Sequence, residues 1–350
     1  MHDHIEVILP SLKRRLSGVT ATLVRLLPIQ AKSMNIVAAG PGGLPDDLPT
    51  VSIWSLFFMG RKKLRVWHAR RNTEMLLGLI LQKAFRKNLK LVFTSASQRH
   101  HTRYTRFLIS RMDAVIATSR KSASYLECPA QVIPHGIDTG TFHPAADKSA
   151  VRRSLNIPDG ILIGCYGRIR HQKGTDVFVD SMLELLPEFP NAAALVMGRA
   201  TSRHQGFLNG LRQKVKEAGL EDRILFLPES PVDTMSDWYR VLDLFVAPQR
   251  WEGFGLTPLE SMACGVPVIA TDVGAFDELI EESNTGIIIP PGDKEKMIRA
   301  VHAMISSPER IQGWAIQCRQ HMELNFRIED EAGSINALYR SLLSEGTGTI

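Results

Sequence analysis

At 350 residues the chain exceeds the size at which one hydrophobic core usually suffices, so two domains are expected. Hydrophobic residues make up 44% and charged residues 22%, ordinary for a soluble globular protein, and no apolar run reaches the roughly 18 residues that exclude a soluble reading. The charge is uneven: residues 1–145 hold 21 Lys and Arg against 8 Asp and Glu, a balance of +13, so with +6 overall residues 146–350 carry −7. A first half this basic is expected to meet something anionic; nucleic acid, an acidic membrane face and an anionic acceptor all fit.

The chain opens directly into an apolar run, Glu6 to Leu9, which reads as a strand and not as a secretory signal. A loop containing Lys13, Arg14, Arg15 and Gly18 follows, and a helix is expected from Thr20 to about Lys32. Strands are expected at 35–39, 51–54, 64–67, 89–94 and 113–118, with a helix from about Thr73 to Lys83 capped by Asn72 or Thr73. His68, Arg70 and Arg71 follow a strand, where a doubly wound sheet places its crevice. Arg99, His100, His101 and Arg103 follow the 89–94 strand, and Ser119 is placed to cap the next helix. The first domain closes near residue 145.

The second half repeats the pattern. Strands are expected at 161–166, 192–197, 224–227, 244–247, 266–270 and 286–289, alternating with helices, and the chain ends in amphipathic helices. A strand-alternating-with-helix order makes two parallel, doubly wound α/β domains the natural product. Cys128, Cys165, Cys264 and Cys318 show no metal or disulfide spacing and read as reduced thiols.

Two loops of the second half carry the chemistry. Gly167-Arg168-Ile-Arg-His-Gln-Lys173-Gly174 lies between a strand and a helix, where a guanidinium and an ammonium can meet phosphate oxygens. Glu252-Gly-Phe254-Gly255-Leu256-Thr257-Pro-Leu-Glu260 is a strand-to-helix turn bracketed by carboxylates, with Gly265-Val-Pro-Val-Ile-Ala270 behind it. Free N–H groups at the helix start favour an anion. Phosphate would repel both carboxylates, so each is expected to face neutral hydroxyls; phosphate and hydroxyls together suggest a nucleotide sugar. Taken singly, a Gly-Phe-Gly turn can serve geometry alone, and a Glu early in a helix can serve the dipole alone.

The Glu252-to-Glu260 turn with its Gly265–Ala270 exit resembles the signature of retaining glycosyltransferases of family 4, and the likeness extends over most of the C-terminal half. The resemblance implies a GT-B fold: two Rossmann-like doubly wound parallel-sheet domains facing across a cleft. It implies an acceptor domain at 1–145, a nucleotide-sugar domain at 146–320, and a helix at 321–350 crossing back to the first domain. By the family pattern Arg168 and Lys173 neutralise the departing diphosphate. Glu252 holds the sugar hydroxyls and Glu260 the ribose. The backbone of Phe254, Gly255, Leu256 and Thr257 supports sugar and phosphate, Gly18 comes close to the donor, and the base lies near Ser230. Many members place a His after the strand that ends near Thr94; Ser95-Ala-Ser97 stands there instead, and His100 and His101 come slightly later as candidate catalytic residues. No Asp-x-Asp motif stands in a matching loop, so no required metal is expected, and the resemblance implies no cofactor besides the nucleotide-sugar donor substrate.

Within the family, Arg14–Thr20, Val66–Glu74, Ser97–Thr102 and Arg111–Ser119 resemble bacterial mannosyltransferases of lipopolysaccharide core assembly, which move mannose from GDP-mannose to the Kdo sugar of a lipid A precursor. That resemblance implies an anionic, lipid-linked sugar acceptor met by Arg14, Arg15, His68, Arg70, Arg71, Arg99 and Arg103. It also implies a cytoplasmic enzyme held peripherally on the acidic inner face of the membrane, with no nucleic-acid partner. Another nucleotide-hexose, or another lipid-linked or polysaccharide acceptor, remains the alternative.

Overall fold

The structure is a computed structural model that describes residues 4–13, 18–41 and 44–345. It divides into two compact units: one holds the chain to Gly136 and from Ile328 onward, the other Ile137–Arg327. The segment 137–145 thus belongs to the second unit, and the return to the first comes at 328, later than the expected 321.

The first unit runs β1 (Val7–Pro10), α1 (Gly18–Gln30), β2 (Ile36–Gly40), β3 (Thr50–Ser52), α2 (Ser55–Phe58), β4 (Arg65–Ala69), α3 (Asn72–Lys83), β5 (Leu89–Ser95), α4 (Arg103–Ile109), β6 (Ala114–Ala117), α5 (Arg120–Ala123) and β7 (Gln131–Val132). Among the described residues its seven strands are parallel, in the order β3-β2-β1-β4-β5-β6-β7. Alternate strand residues feed opposite faces, as the pleat demands. Val7, Leu9, Ile36, Ala38, Val66 and Val92 pack on one side, and Ile8, Val37, Trp67, Leu91 and Phe93 on the other. Gly78 of α3 is where Trp67 comes in: a Cβ there would stand 2.6 Å from the indole.

The second unit runs α6 (Lys148–Ser154), β8 (Ile161–Tyr166), α7 (Thr175–Leu185), β9 (Ala192–Met197), α8 (Gln205–Glu217), β10 (Ile224–Leu227), α9 (Met235–Arg240), β11 (Leu244–Ala247), α10 (Thr257–Ala263), β12 (Val268–Thr271), α11 (Phe276–Leu279), β13 (Gly286–Ile289), α12 (Lys294–Ile305) and α13 (Pro308–Asn325). Its six strands are parallel in the order β10-β9-β8-β11-β12-β13. Here too alternate residues, such as Ala193, Leu195 and Met197 against Ala194 and Val196, serve two cores.

The last helix, α14 (Ile328–Ser344), returns to the first unit. Ile328, Ala332, Ile335, Tyr339 and Leu342 recur at helical spacing and bury beside Leu9, Leu23 and Leu27. Polar contacts add register: Gln30 donates to Asn336 at 2.9 Å, and the Gly136 amide donates to buried Glu331 at 2.8 Å.

Three local expectations change. The 51–54 strand is β3 at 50–52, after which the chain turns into α2 and leaves Trp54 outside. Helix α3 is preceded by Arg71 with no side-chain cap; Glu74 reaches back instead, accepting the Arg70 amide at 2.8 Å, while Asn72 donates to Thr105 at 2.8 Å. The strand expected from Val266 starts at Val268, because Gly265, at φ +71°, and Pro267 turn the chain first. Ser119 does cap α5, through a reciprocal pair with Ser122.

Candidate active site

In each sheet the strand order reverses direction once, between β1 and β4 in the first unit and between β8 and β11 in the second. Loops after the carboxyl ends of such strands flank a ready-made crevice. In the second unit those loops are 167–174, after β8, and 248–256, after β11. They hold Arg168, Lys173 and Glu252.

The glycines explain how the two loops lie so close. Gly174 has φ +70°, and a Cβ there would sit 1.8 Å from the Pro248 carbonyl oxygen. Gly167, at φ +138°, has nothing within 4 Å of where its Cβ would be, so the backbone before exposed Arg168 borders open space. Gly255, at φ +95°, admits the Phe276 ring to within 2.1 Å of its missing Cβ. The Ala275 amide then donates to the Phe254 carbonyl at 3.0 Å. The Phe254 ring is buried, so that residue anchors the turn.

One ion pair locks the loops. Arg250 forks the Asp176 carboxylate at 2.7 and 2.8 Å and donates to the His171 carbonyl at 2.6 Å. Its amide also donates to the Gln172 carbonyl at 2.9 Å. Burial alone would raise the Asp176 carboxyl, but the Arg250 guanidinium overrides it and holds the group below its ordinary value. Nothing in the sequence marks this pair, whose members stand 74 positions apart.

Beside that lock, the Lys173 ammonium donates directly to a Glu252 carboxylate oxygen, and the other oxygen of Glu252 accepts the Gly253 amide at 3.0 Å. Both side chains remain partly open to solvent. Thr257, at the start of α10, carries a buried hydroxyl with no hydrogen-bond partner. Buried polar atoms are rarely left so, and an orphan at the mouth of a site is suited to a ligand oxygen. Glu260 lies deeper than expected: it is buried, and its Oε2 accepts the Tyr239 hydroxyl at 2.8 Å. Burial, with Glu260 beside it, pushes the Tyr239 phenol far up. Ser230, past β10, shares a hydrogen bond with Thr234 at 2.9 Å.

The first-unit candidates separate into buried and exposed. His68 is fully buried: Nδ1 meets the Tyr339 hydroxyl at 2.5 Å and Nε2 meets Thr94 at 2.6 Å. Burial, then the Arg70 charge, lowers its pKa well below the usual value, so the ring is neutral. That placement corrects the expectation that His68 touches an acceptor; both ring nitrogens hold α14 and β5 to β4. Arg71 pairs with buried Glu74 at 2.7 Å and donates to Thr20 at 3.1 Å, so it braces the start of α3. Arg70, just past β4 at the sheet's reversal point, has a buried Nη1 without a hydrogen-bond partner. Arg99 and Arg103 are exposed. His100 packs its ring edge against Tyr125, and His101 stands 3.4 Å from Ser95 Oγ with a pKa lowered by burial and then by Arg99. Gly18 opens α1; Arg14 and Arg15 lie outside the described residues.

The profile of glycosyl transferases group 1 matches residues 147–321, inside the second unit. Over 347 residues, 97% of this chain and 98% of the other, the sequence is 51% identical to the lipopolysaccharide core biosynthesis mannosyltransferase LpsB of Rhizobium meliloti (strain 1021). The chain belongs to the glycosyl transferases group 1 family. A second relative of this group 1 glycosyltransferase is the lipopolysaccharide core biosynthesis mannosyltransferase LpcC of Rhizobium leguminosarum bv. viciae, 48% identical with 97% of each chain covered. Among solved structures, HepE of Anabaena in complex with UDP superposes with a TM-score of 0.84 at 19% identity, covering 96% of this chain and all of that one. That likeness is one of fold, and the two parallel-sheet Rossmann-like units are those of the GT-B class. The group 1 profile therefore falls on the unit that holds Arg168, Lys173, Glu252 and Glu260.

Proposed function

We propose that this glycosyltransferase moves mannose from GDP-mannose to the Kdo inner core of a lipopolysaccharide precursor, with retention at the anomeric carbon and without a metal. The observation that carries the reading is the meeting of Lys173 with Glu252 beside exposed Arg168, at the reversal point of the second sheet. One cluster then offers cations to a diphosphate and a carboxylate to hydroxyls. The names borne by the two full-length relatives supply the sugar and the acceptor class.

In this reading Arg168 and Lys173 donate to the diphosphate oxygens and stabilise the charge that develops as the glycosidic bond breaks. The buried Thr257 hydroxyl gives a further donor. Lys173 exchanges Glu252 for phosphate when the donor enters, which frees the carboxylate to accept from sugar hydroxyls. Glu260, with its Oε2 fixed by the Tyr239 hydroxyl, faces the ribose. The acceptor hydroxyl attacks from the leaving-group side, and a phosphate oxygen takes its proton. Arg70 meets the acceptor carboxylate with its unpartnered Nη1. The enzyme works at the acidic inner face of the membrane; among the described residues no helix is long and apolar enough to cross it.

The test is a panel of GDP- and UDP-sugars offered with a Kdo-bearing acceptor, the product linkage being read by NMR. An α-mannoside formed from GDP-mannose alone supports the reading. Transfer from UDP-hexoses only, or an inverted product, overturns it.

A further inference from the structure

Residues 48–112 hold 14 Lys and Arg and one acidic residue, Glu74. Glu74 is fully buried and paired with Arg71, so none of that stretch offers a negative charge to solvent. The largest exposed aromatic side chains of the first unit stand in the same stretch. Phe58 is 89% exposed and Trp54 72%.

These residues form one surface. The Trp54 and Phe57 rings lie 6.0 Å apart, and Phe57 meets Phe85 edge-on at 4.8 Å. Lys87 is buried beneath them and donates to the carbonyls of Phe57, at 2.8 Å, and Met59. Arg65 donates to the Gly60 carbonyl at 2.9 Å, and Asn88 to that of Lys62 at 3.1 Å. The 54–63 segment is therefore clamped onto the end of α3. Around its rim Arg61, Lys62, Lys83 and Arg86 are exposed. Burial first, then the charges of Arg61 and Arg65, lowers the Lys87 pKa, so the cations there repel one another.

Aromatic rings on a rigid turn, ringed by cations, match the chemistry of a lipid–water interface. The rings suit the headgroup level, and Lys and Arg suit anionic lipid. A nucleic-acid duplex would use the cations but, with its bases stacked inside, would leave the exposed Phe58 without an apolar neighbour. We infer that the Trp54–Phe58 turn, with Phe85 and the surrounding Arg61, Lys62, Lys83 and Arg86, is an interfacial anchor that inserts into an anionic lipid surface. It rests on the lipid-linked acceptor reading for its biological purpose, not for its geometry. None of these residues belongs to the proposed donor or acceptor machinery.

The test uses the full chain with two vesicle types: phosphatidylcholine alone, and phosphatidylcholine mixed with phosphatidylglycerol. Wild-type protein is expected to sediment with the anionic vesicles, at least tenfold better than with neutral ones, and less well as salt rises. The double variant Trp54→Ser/Phe58→Ser is expected to lose at least tenfold of that binding while keeping its melting temperature and its transfer to a water-soluble acceptor. Brominated lipid should quench tryptophan emission in the wild type and much less in Trp54→Phe. Equal binding to both vesicle types, unchanged binding by the double variant, or equal quenching in Trp54→Phe overturns the inference. So does a wild-type dimer in light scattering that the double variant abolishes, since a second copy would then cover the face. Vesicle binding that persists when GDP-mannose proves not to be the donor defeats the donor assignment alone.

Discussion

Lys173 and Glu252 neutralise each other across two loops, one after β8 and one after β11. The pair joins the residue assigned to phosphate with the residue assigned to sugar hydroxyls. Its two halves are therefore not interchangeable with neutral groups. Glu252→Gln keeps the shape and removes the charge; kcat/KM is expected to fall by about 100-fold or more, as for loss of a preorganised electrostatic contact. Lys173→Ala is expected to do the same and to leave Glu252 without its partner. Steady-state transfer assays check both, and full activity in either variant removes that residue from the mechanism.

The Arg250–Asp176 fork predicts a stability effect separate from catalysis. Asp176 has a folded-state pKa below its ordinary value of 3.8. The pair therefore stabilises the fold above that value, and its contribution is lost as pH falls through the lowered folded-state pKa. Arg250→Ala should lower stability at neutral pH by about 1–3 kcal/mol, the usual cost of leaving a partly buried polar group without its partner. Urea unfolding at neutral and acidic pH reads it; the difference between wild type and variant should shrink in acid.

His68 predicts a pH dependence in a higher window. Its folded-state pKa lies well below 6.5, so the unfolded chain takes up a proton first as pH falls. Stability should then decline below pH 6.5, with a slope of at most about 1.4 kcal/mol per pH unit, until the folded-state pKa is reached. His68→Gln removes the titration. Its unfolding free energy should be flatter between pH 6.5 and 5 than that of the wild type, whatever its absolute value.

Gly174 tests how closely the loops must approach. Gly174→Ala places a Cβ 1.8 Å from the Pro248 carbonyl oxygen at φ +70°. The left-handed backbone alone costs about 1–2 kcal/mol for a residue with a side chain, and the backbone clash adds to it. A lower melting temperature together with weakened donor binding is expected. A melting temperature equal to that of the wild type would show that the loops can part freely.

Much of this was legible in the sequence because period and punctuation were strong. Runs such as Ala192–Met197 and Leu244–Ala247 are apolar throughout, as strands buried on both faces must be. The Glu252–Glu260 turn announces itself by its glycines and its helix start. What stayed hidden was tertiary. Nothing near His68 marks it as buried, because its partner Tyr339 arrives 271 positions later, on α14. Arg71 reads as available from sequence because Glu74, three positions on, could as well face solvent. Trp54 reads as the end of a strand because a β-favouring run gives no sign of where the chain turns into α2. The Arg250–Asp176 lock needed both loops in place to be visible.

The central claim is that the 167–174 and 248–256 loops grip the diphosphate of a nucleotide sugar. Calorimetric titration with GDP, with and without EDTA, tests it most directly, in the wild type and in Arg168→Ala and Lys173→Ala. The account predicts binding that EDTA leaves unchanged and that each substitution weakens at least tenfold. GDP binding of equal strength in all three proteins, or binding abolished by EDTA, would contradict it.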